Sequence, residues 1–358
     1  MRKFVIENRD ITEKDVFVIA EIGCNHGGSV DKCVRMIEKA AECGADAVKL
    51  QTRDIYAMFT NAALEKPYEN EFSCGATYGE HRKKLDYFGK ETLEETREYW
   101  EFFIETAEKN NILLFATPFE ENSANFLSSL DMPMYKIASC DVNNAPLLRQ
   151  VAGFGKPIIL STGGRKFFDI YHAVDTISPI NSNLAILHCV SVYPNTDTIL
   201  NLQSIPFLRD MLHPYIVGFS SHHPGIEPLI VAKTLGATIF EVHFTLSRAE
   251  RGTDHGFSME PAGLRRLCYD LRRVDRMIGE YTKIVQPEEF GGFVNKMGKS
   301  VYVSRTMTKG EKITAEDVCC KSPAVDGALS PAELESVIGK TLIADVSTSA
   351  PLMGGELV

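Results

Sequence analysis

Polar residues close a series of short apolar runs along this chain, and their types suit a particular chemistry. In order they are Glu21, Lys49 with Gln51, Thr117, Lys136 with Ser139, Ser161 with Thr162, His188, Ser220 with His222, and His243. Lys49, Lys136, Ser139, Ser161 and Thr162 offer cationic and hydroxyl donors that suit a phosphate and a carboxylate on one small ligand. That describes a phosphorylated keto or enol acid. His222 and His243 could share one divalent ion. Two imidazoles are too few for a closed structural zinc site, so such an ion keeps positions open for water and substrate oxygens. His223 and His255 compete for the same role. Taken singly, each residue has a plainer reading as a paired inward lysine or a hydrogen-bonded histidine. Taken together they point to an active site, because so many polar groups at one mouth are costly to desolvate without a ligand or water.

The runs that must position these residues number eight. They are FVIAEIG from Phe17, AVKLQT from Ala47, LLFATPF from Leu113, YKIAS from Tyr135, PIILSTG from Pro157, LAILHCV from Leu184, IVGFSS from Ile216 and IFEVHFT from Ile239. Helix-like stretches lie between them. In the first, Ser29 to Cys43, residues Val30, Cys33, Val34, Ile37 and Ala41 fall at helical spacing, Ser29 can cap the start and Gly44 can end it. Continuous apolar strands alternating with amphipathic helices imply parallel strands, and eight units imply a closed (β/α)8 TIM barrel with its active site at the carboxyl ends of the strands. A doubly wound open sheet is the alternative. His222 and His243 then end the seventh and eighth strands, which are neighbours in a closed barrel. About sixty residues separate the second and third strands, so Arg53 to Lys90 reads as an insertion over the mouth. The barrel is expected to take residues 1–281, a linker 282–295, and a small α+β unit 296–358. In that unit SVYVSR and LIADV read as strands, TKGEK as a turn and Pro331 to Val337 as a helical stretch.

A chain of 358 residues exceeds one ordinary core, which fits a barrel with an appendage. Hydrophobic residues at 44% and charged residues at 24% exclude disorder and coiled coil. A net charge of −10 opposes broad nucleic-acid or anionic-membrane affinity, and no apolar run is long enough to cross a membrane. A cytoplasmic location is expected. Nine cysteines without a Cys-x-x-Cys pair fit reduced packing residues. The string GGFVNKMGKS resembles a nucleotide-binding P-loop, but that motif needs glycine where Phe293 stands. AEIGCNHGG, after the first strand, is rich enough in glycine for close backbone approach to a ligand.

With these residues in place, the chain resembles the sialic acid synthase family, whose members carry a C-terminal antifreeze-like (SAF) domain. The motifs that carry the resemblance run nearly end to end: AEIGCNHGG, GADAVKLQT, ATPF, KIAS, LSTGG, LHCVSVYP, GFSSHH, EVHFT and GTDHGFSMEP. The resemblance implies condensation of phosphoenolpyruvate with the open-chain form of N-acetylmannosamine or a related hexose, giving phosphate and a nine-carbon 2-keto acid. It assigns Lys49, Gln51, Thr117, Lys136, Ser139, Ser161 and Ser220 to phosphoenolpyruvate, Tyr193 and Asp254 to the sugar, and His222 and His243 to a divalent metal. Manganese is the first expectation, with magnesium and cobalt as alternatives. Glu21 and Asp141 are the candidates for proton transfer and cation stabilisation. Asp141 stands where the family often has Glu, so a structural hydrogen-bonding role competes with the catalytic one.

The insertion KPYENEFSCGATYGEHRKKL resembles the branch that acts on N-acetylmannosamine 6-phosphate, with Arg82, Lys83 and Lys84 available to the second phosphate. A solvated cationic face is the plainer reading of that triplet. Ser191 stands where many free-sugar synthases have Asn. Residues 296–358 are expected to cover the site of the other subunit in a domain-swapped homodimer, with Lys321 where many bacterial members carry an arginine. The alternatives within the family are free-sugar N-acetylneuraminate, legionaminate or pseudaminate synthases. Outside it are a Schiff-base aldolase using Lys49 or Lys136, and a non-catalytic carbohydrate-binding protein.

Overall fold

The computed structural model describes residues 2–279, 282–284 and 296–358, so most of the expected linker 282–295 and the first part of GGFVNKMGKS lie outside the described residues. The chain forms two compact units, Met1–Gly279 and Glu280–Val358.

The first unit opens with a feature the apolar runs do not announce, an antiparallel hairpin of β1 (Lys3–Ile6) and β2 (Arg9–Thr12). Phe4, Ile6 and Ile11 are buried from it against Phe17, Ile19, Phe115, Ile159 and Ile216, closing the amino end of the barrel. The Asn183 side chain ties it down, accepting from the Val5 amide at 2.9 Å and donating to the Val5 carbonyl at 2.6 Å. Eight parallel strands follow: β3 (Phe17–Gly23), β4 (Ala47–Thr52), β5 (Leu113–Pro118), β6 (Tyr135–Ile137), β7 (Ile158–Ser161), β8 (Leu184–Cys189), β9 (Ile216–Ser221) and β10 (Ile239–His243). They close in chain order, with β10 pairing β3, so the barrel and not the open sheet is the fold.

Side chains alternate along each strand. One parity packs outward: Val18, Ala20, Ile22, Val48, Leu50 and Val242 join the layer beneath the helices. The other faces inward and changes character along the strand. Phe17 and Ile19 precede Glu21, Ala47 precedes Lys49, Phe115 precedes Thr117, Met134 precedes Lys136, and Ile239 precedes Glu241 and His243. The apolar members form the inner core above the hairpin.

Helix α1 (Val30–Glu42) buries Cys33, Met36, Ile37 and Ala40. Its Ser29 cap accepts from the Lys32 amide, and Gly44 at φ +87° ends the turn. The insertion after β4 carries α2 (Ile55–Met58), α3 (Asn61–Leu64) and α4 (Tyr78–Asp86) before α5 (Arg97–Lys109). A capping box of Thr77 and Glu80 starts α4, a device worth about 1 kcal/mol. Among the described residues no helix is long and apolar enough to cross a membrane.

In the second unit β11 (Ser300–Val303) pairs antiparallel with β12 (Val318–Lys321) over a core that includes Val301, Val303, Met307, Ile313, Leu342 and Leu352. LIADV, expected as a strand, makes only isolated bridges, Leu342 to Leu357 and Val346 to Met307. The helical stretch is present as a 3-10 turn, Pro331–Glu333, and a short helix, Leu334–Val337.

Candidate active site

The strand register sets the site. Glu21 pairs across to Lys49 on one side and to His243 on the other, Gln51 to Thr117, Glu241 to Ser220, and Ser220 to Cys189. These inward positions line a cavity of about 660 Å³ at the carboxyl ends of the strands, together with Arg53, Phe72, Phe119, Lys136, Ser139, Ser161, Ser191, Tyr193, His222 and Asp254. Gly23, at φ +53°, belongs to its wall: a Cβ there would lie 3.1 Å from Glu21 Oε1 and 3.3 Å from Gln51 Nε2.

Charge alternates across the floor. Lys49 Nζ lies 2.7 Å from Glu21 Oε2, donates to Thr117 Oγ1 at 3.0 Å and stands 3.8 Å from Glu241. Glu241 is also 3.6 Å from Lys136 Nζ and accepts from Ser220 Oγ at 3.1 Å. Both lysines are 3% exposed, yet their titrations diverge. Burial works against the Lys49 charge, but Glu21 and Glu241 outweigh it and raise its pKa. At Lys136 burial prevails over the single close carboxylate, assisted by the Lys49 charge, and the pKa falls. Burial likewise opposes the Glu241 charge, but Lys136, Lys49 and His243 hold that carboxyl well below the usual range.

The His222 and His243 rings face one another at 5.3 Å. His222 Nδ1 meets the Val190 carbonyl at 2.8 Å, so the carbonyl fixes the proton on Nδ1 and leaves Nε2 as a lone pair. Burial, followed by the His243 charge, lowers the His222 pKa to about 4 and keeps the ring neutral. His243 Nδ1 is buried without a hydrogen-bond partner, 3.4 Å from Asp254 Oδ2. A neutral His222 and the unpaired His243 ring beside a carboxylate fit a divalent ion that draws its remaining ligands from water and substrate. Among the described residues no group of three or more His, Cys, Asp or Glu could hold a metal alone. The hydroxyl of Ser161 and Oε2 of Glu241 also lack hydrogen-bond partners. Unsatisfied buried polar atoms converging on one cavity mark it as a place for a polar ligand.

Of the residues singled out in the sequence, Glu21, Lys49, Gln51, Thr117, Lys136, Ser139, Ser161, Ser220, Tyr193, Asp254, His222 and His243 meet here. The Tyr193 ring lies against that of His222, tilted by 43° with centroids 4.1 Å apart. Others are turned elsewhere. Thr162 has the outward parity, and its hydroxyl donates to the Leu187 carbonyl at 2.9 Å. His188 shares that parity on β8 and meets the Leu200 carbonyl at 2.8 Å. Asp141 lies in the 3-10 turn Ser139–Asp141 and does not line the cavity; Asn144 Nδ2 and the Cys140 thiol donate to it, each at 3.3 Å. That is the structural role set against its catalytic one. His223 pairs with Asp197 at 3.1 Å, and His255 Nδ1 bonds Thr245 Oγ1 at 2.7 Å.

Arg82 and Lys83 also stay out of the cavity. Arg82 is buried and grips Asp86, one turn along α4, from Nε at 2.8 Å and Nη2 at 2.6 Å. Lys83 pairs with Glu91, and Lys84 is exposed. Three consecutive residues on a helix diverge by roughly 100° each, so they cannot converge on one phosphate. AEIGCNHGG brings a backbone close to a helix as well as to the cavity. At Gly28, φ +73°, a Cβ would fall 2.1 Å from the Lys84 carbonyl oxygen. Two charged cavity residues were not singled out in the sequence, Glu241 and Arg53. Period-two spacing from His243 marks Glu241, and Arg53 directly follows a strand end.

The chain matches the NeuB family over residues 36–283 and the SAF domain over residues 298–358. It is 34% identical to the human protein named N-acetylneuraminate-9-phosphate synthase, over 94% of this chain and 91% of that one. It is 31% identical to the N,N'-diacetyllegionaminic acid synthase of Campylobacter jejuni, over 91% of this chain and 96% of that one. Among solved structures it is similar to the N-acetylneuraminic acid synthetase of Leptospira borgpetersenii in complex with citrate, with a TM-score of 0.70 and 31% identity over 81% of this chain and 94% of that chain.

Proposed function

The chain belongs to the NeuB family and is a transferase that forms a carbon–carbon bond in sialic acid biosynthesis, and we propose that it joins phosphoenolpyruvate to the open-chain aldehyde of an N-acyl hexosamine 6-phosphate. The products are phosphate and a nine-carbon 2-keto acid 9-phosphate. The observation that carries this reading is the cavity itself, where two buried lysines, two facing imidazoles and an unpaired Ser161 hydroxyl converge. The name of the human relative supports the phosphorylated sugar.

Lys49 and Lys136 hold the phosphate and carboxylate of phosphoenolpyruvate, with the hydroxyls of Thr117, Ser139, Ser161 and Ser220 donating to the same oxygens. Tyr193 and Asp254 face the sugar. When bound by His222 and His243, a divalent ion, manganese by first expectation, supplies Lewis-acid polarisation of the aldehyde oxygen. C3 of phosphoenolpyruvate bonds to the aldehyde carbon, and C2 gains positive character. Glu21, oriented by the Gln51 amide donating to Oε1 at 2.7 Å, stabilises that charge and takes a proton from the water that adds at C2. That proton passes to the new sugar hydroxyl. The tetrahedral C2 then expels phosphate, which leaves with the C–O electron pair and the second proton of the water. A homodimer belongs to the same proposal and is read by light scattering.

The test is phosphate release from phosphoenolpyruvate across a panel of free and 6-phosphorylated hexosamines. Release with a 6-phosphorylated N-acyl hexosamine, abolished by a chelator, is the expected result. Release with free sugars alone sinks the phosphorylated reading. One observation favours a second reading: Lys136 has the lowered pKa a Schiff-base amine needs. Borohydride in the presence of substrate traps Lys136 if that reading holds, and leaves it unmodified under the proposed mechanism.

A further inference from the structure

The cluster expected to meet a sugar phosphate is not at the cavity, but another cation is. Arg53 leaves the end of β4 into the mouth and lines the cavity beside Gln51, Phe72, Phe119 and Cys140. Its guanidinium lies 3.7 Å over the Phe119 ring, which fixes its plane. Nη1 donates to Asp86 Oδ1 at 2.9 Å and Nη2 to Gln51 Oε1 at 2.7 Å. Those bonds use two of the five N–H donors a guanidinium carries.

The charge around it does not balance. Arg82 grips the same Asp86 carboxylate with two donors, touching both oxygens. One carboxylate therefore faces two guanidiniums, and the group carries a net charge of +1. The excess resides at Arg53, which shares one oxygen of Asp86 and otherwise hydrogen-bonds a neutral amide; the Asp141 carboxylate also feels its charge, but less than that of Arg165. On the floor, by contrast, Lys49 and Lys136 are matched by Glu21 and Glu241. Arg53 is thus the under-compensated cation of the cavity wall, held rigid, with a fork whose free donors suit phosphate oxygens.

We propose that Arg53 is the residue that reads the phosphate of the second substrate, with Arg82 and Asp86 as the positioning residues that fasten it to α4. This rests on the reading above that the second substrate is phosphorylated. Arg53→Gln removes a charge-assisted hydrogen bond of about 1.5–3 kcal/mol, which corresponds to a rise of roughly 10–100-fold in the KM for the 6-phosphorylated sugar. The same variant should change the KM for phosphoenolpyruvate and for a free hexosamine by less than about threefold, near the lower end of what a lost neutral hydrogen bond costs. If Arg53→Gln fails to fold, Arg53→Lys carries the test. It keeps the charge and loses the fork, so the phosphorylated-sugar KM rises by a smaller factor while selectivity over the free sugar persists. Equal losses towards phosphoenolpyruvate and sugar, no loss, or a wild-type protein that prefers the free sugar would each overturn the assignment while leaving the condensation itself in place. A wild-type protein that consumes no phosphoenolpyruvate with any hexosamine would overturn the reading beneath it, and the assignment with it.

Discussion

At the scale of single residues, the site depends on which protonation state each group is held in. His222 and His243 should bind Mn2+ only as a pair. Replacing either with Ala is expected to abolish measurable Mn2+ binding in calorimetry and metal-dependent turnover, while the circular dichroism spectrum stays that of the folded protein. Full activity after chelation would sink the metal assignment. His26 offers a test away from the cavity. Its ring is buried, stacks on Phe88 at 4.6 Å and accepts at Nδ1 from the Gly28 amide at 3.1 Å. Burial lowers its pKa from 6.5 to about 4; Asp86 opposes that shift, and Lys32 and Arg82 reinforce it. The unfolded chain therefore binds the proton first. Stability from this group is fully present above pH 6.5 and is lost as pH falls towards 4, by up to roughly 3 kcal/mol. Urea melts between pH 7 and 4 should show a shallower decline for His26→Gln, and identical slopes would exclude His26 as the titrating group.

At the scale of elements, the contacts that fasten the insertion to the barrel include the Arg53–Asp86–Arg82 cluster and the contact of Gly28 with the end of α4. Ala at position 28 would meet the Lys84 carbonyl oxygen at 2.1 Å from a positive φ. Gly28→Ala is therefore expected to lose about 1–3 kcal/mol in denaturant melts. It should also raise the KM for the sugar more than that for phosphoenolpyruvate, because α4 positions Arg53 and the floor does not depend on it. An unchanged melt would mean that the loop yields freely. The helices of the insertion and the hairpin β1–β2 were hard to read in advance for one reason. They are short, and at four to nine residues neither a 3.6-residue nor a two-residue period repeats often enough to stand out.

At the scale of the whole molecule, each unit has its own hydrophobic core, and every proposed phosphoenolpyruvate ligand belongs to the first. A chain ending at Gly279 should therefore stay folded and bind phosphoenolpyruvate with nearly unaltered affinity in calorimetry. Sugar affinity and dimer mass should both fall. A truncated chain that is a dimer with full sugar affinity would remove any role for the second unit in either. Lys321, which stands where many bacterial members carry an arginine, is exposed, with its ammonium 5.9 Å from the Tyr302 ring. A point cation there cannot supply a bidentate fork. On the proposed reading, recognition of the sugar phosphate then falls to the barrel, where Arg53 has such a fork.

The eight strands and their order were legible in the sequence because each is a continuous apolar run ending in a polar residue, which a buried parallel strand requires. Most of the cavity was legible for the same reason: strand ends converge in any closed barrel, so Lys49, Lys136, Ser161, His222 and His243 could be brought together before any coordinates. Parity along a strand, applied strictly, would also have separated Ser161 from Thr162 and added Glu241 to the site. What sequence alone could not decide was which cations reach the ligand. Arg82, Lys83 and Lys84 stand together in the chain, but a helix fans them apart, and Asp86 captures the first. Arg53 stands alone, and only the packing of α4 against the end of β4 brings two guanidiniums onto one carboxylate and leaves the excess charge facing the cavity.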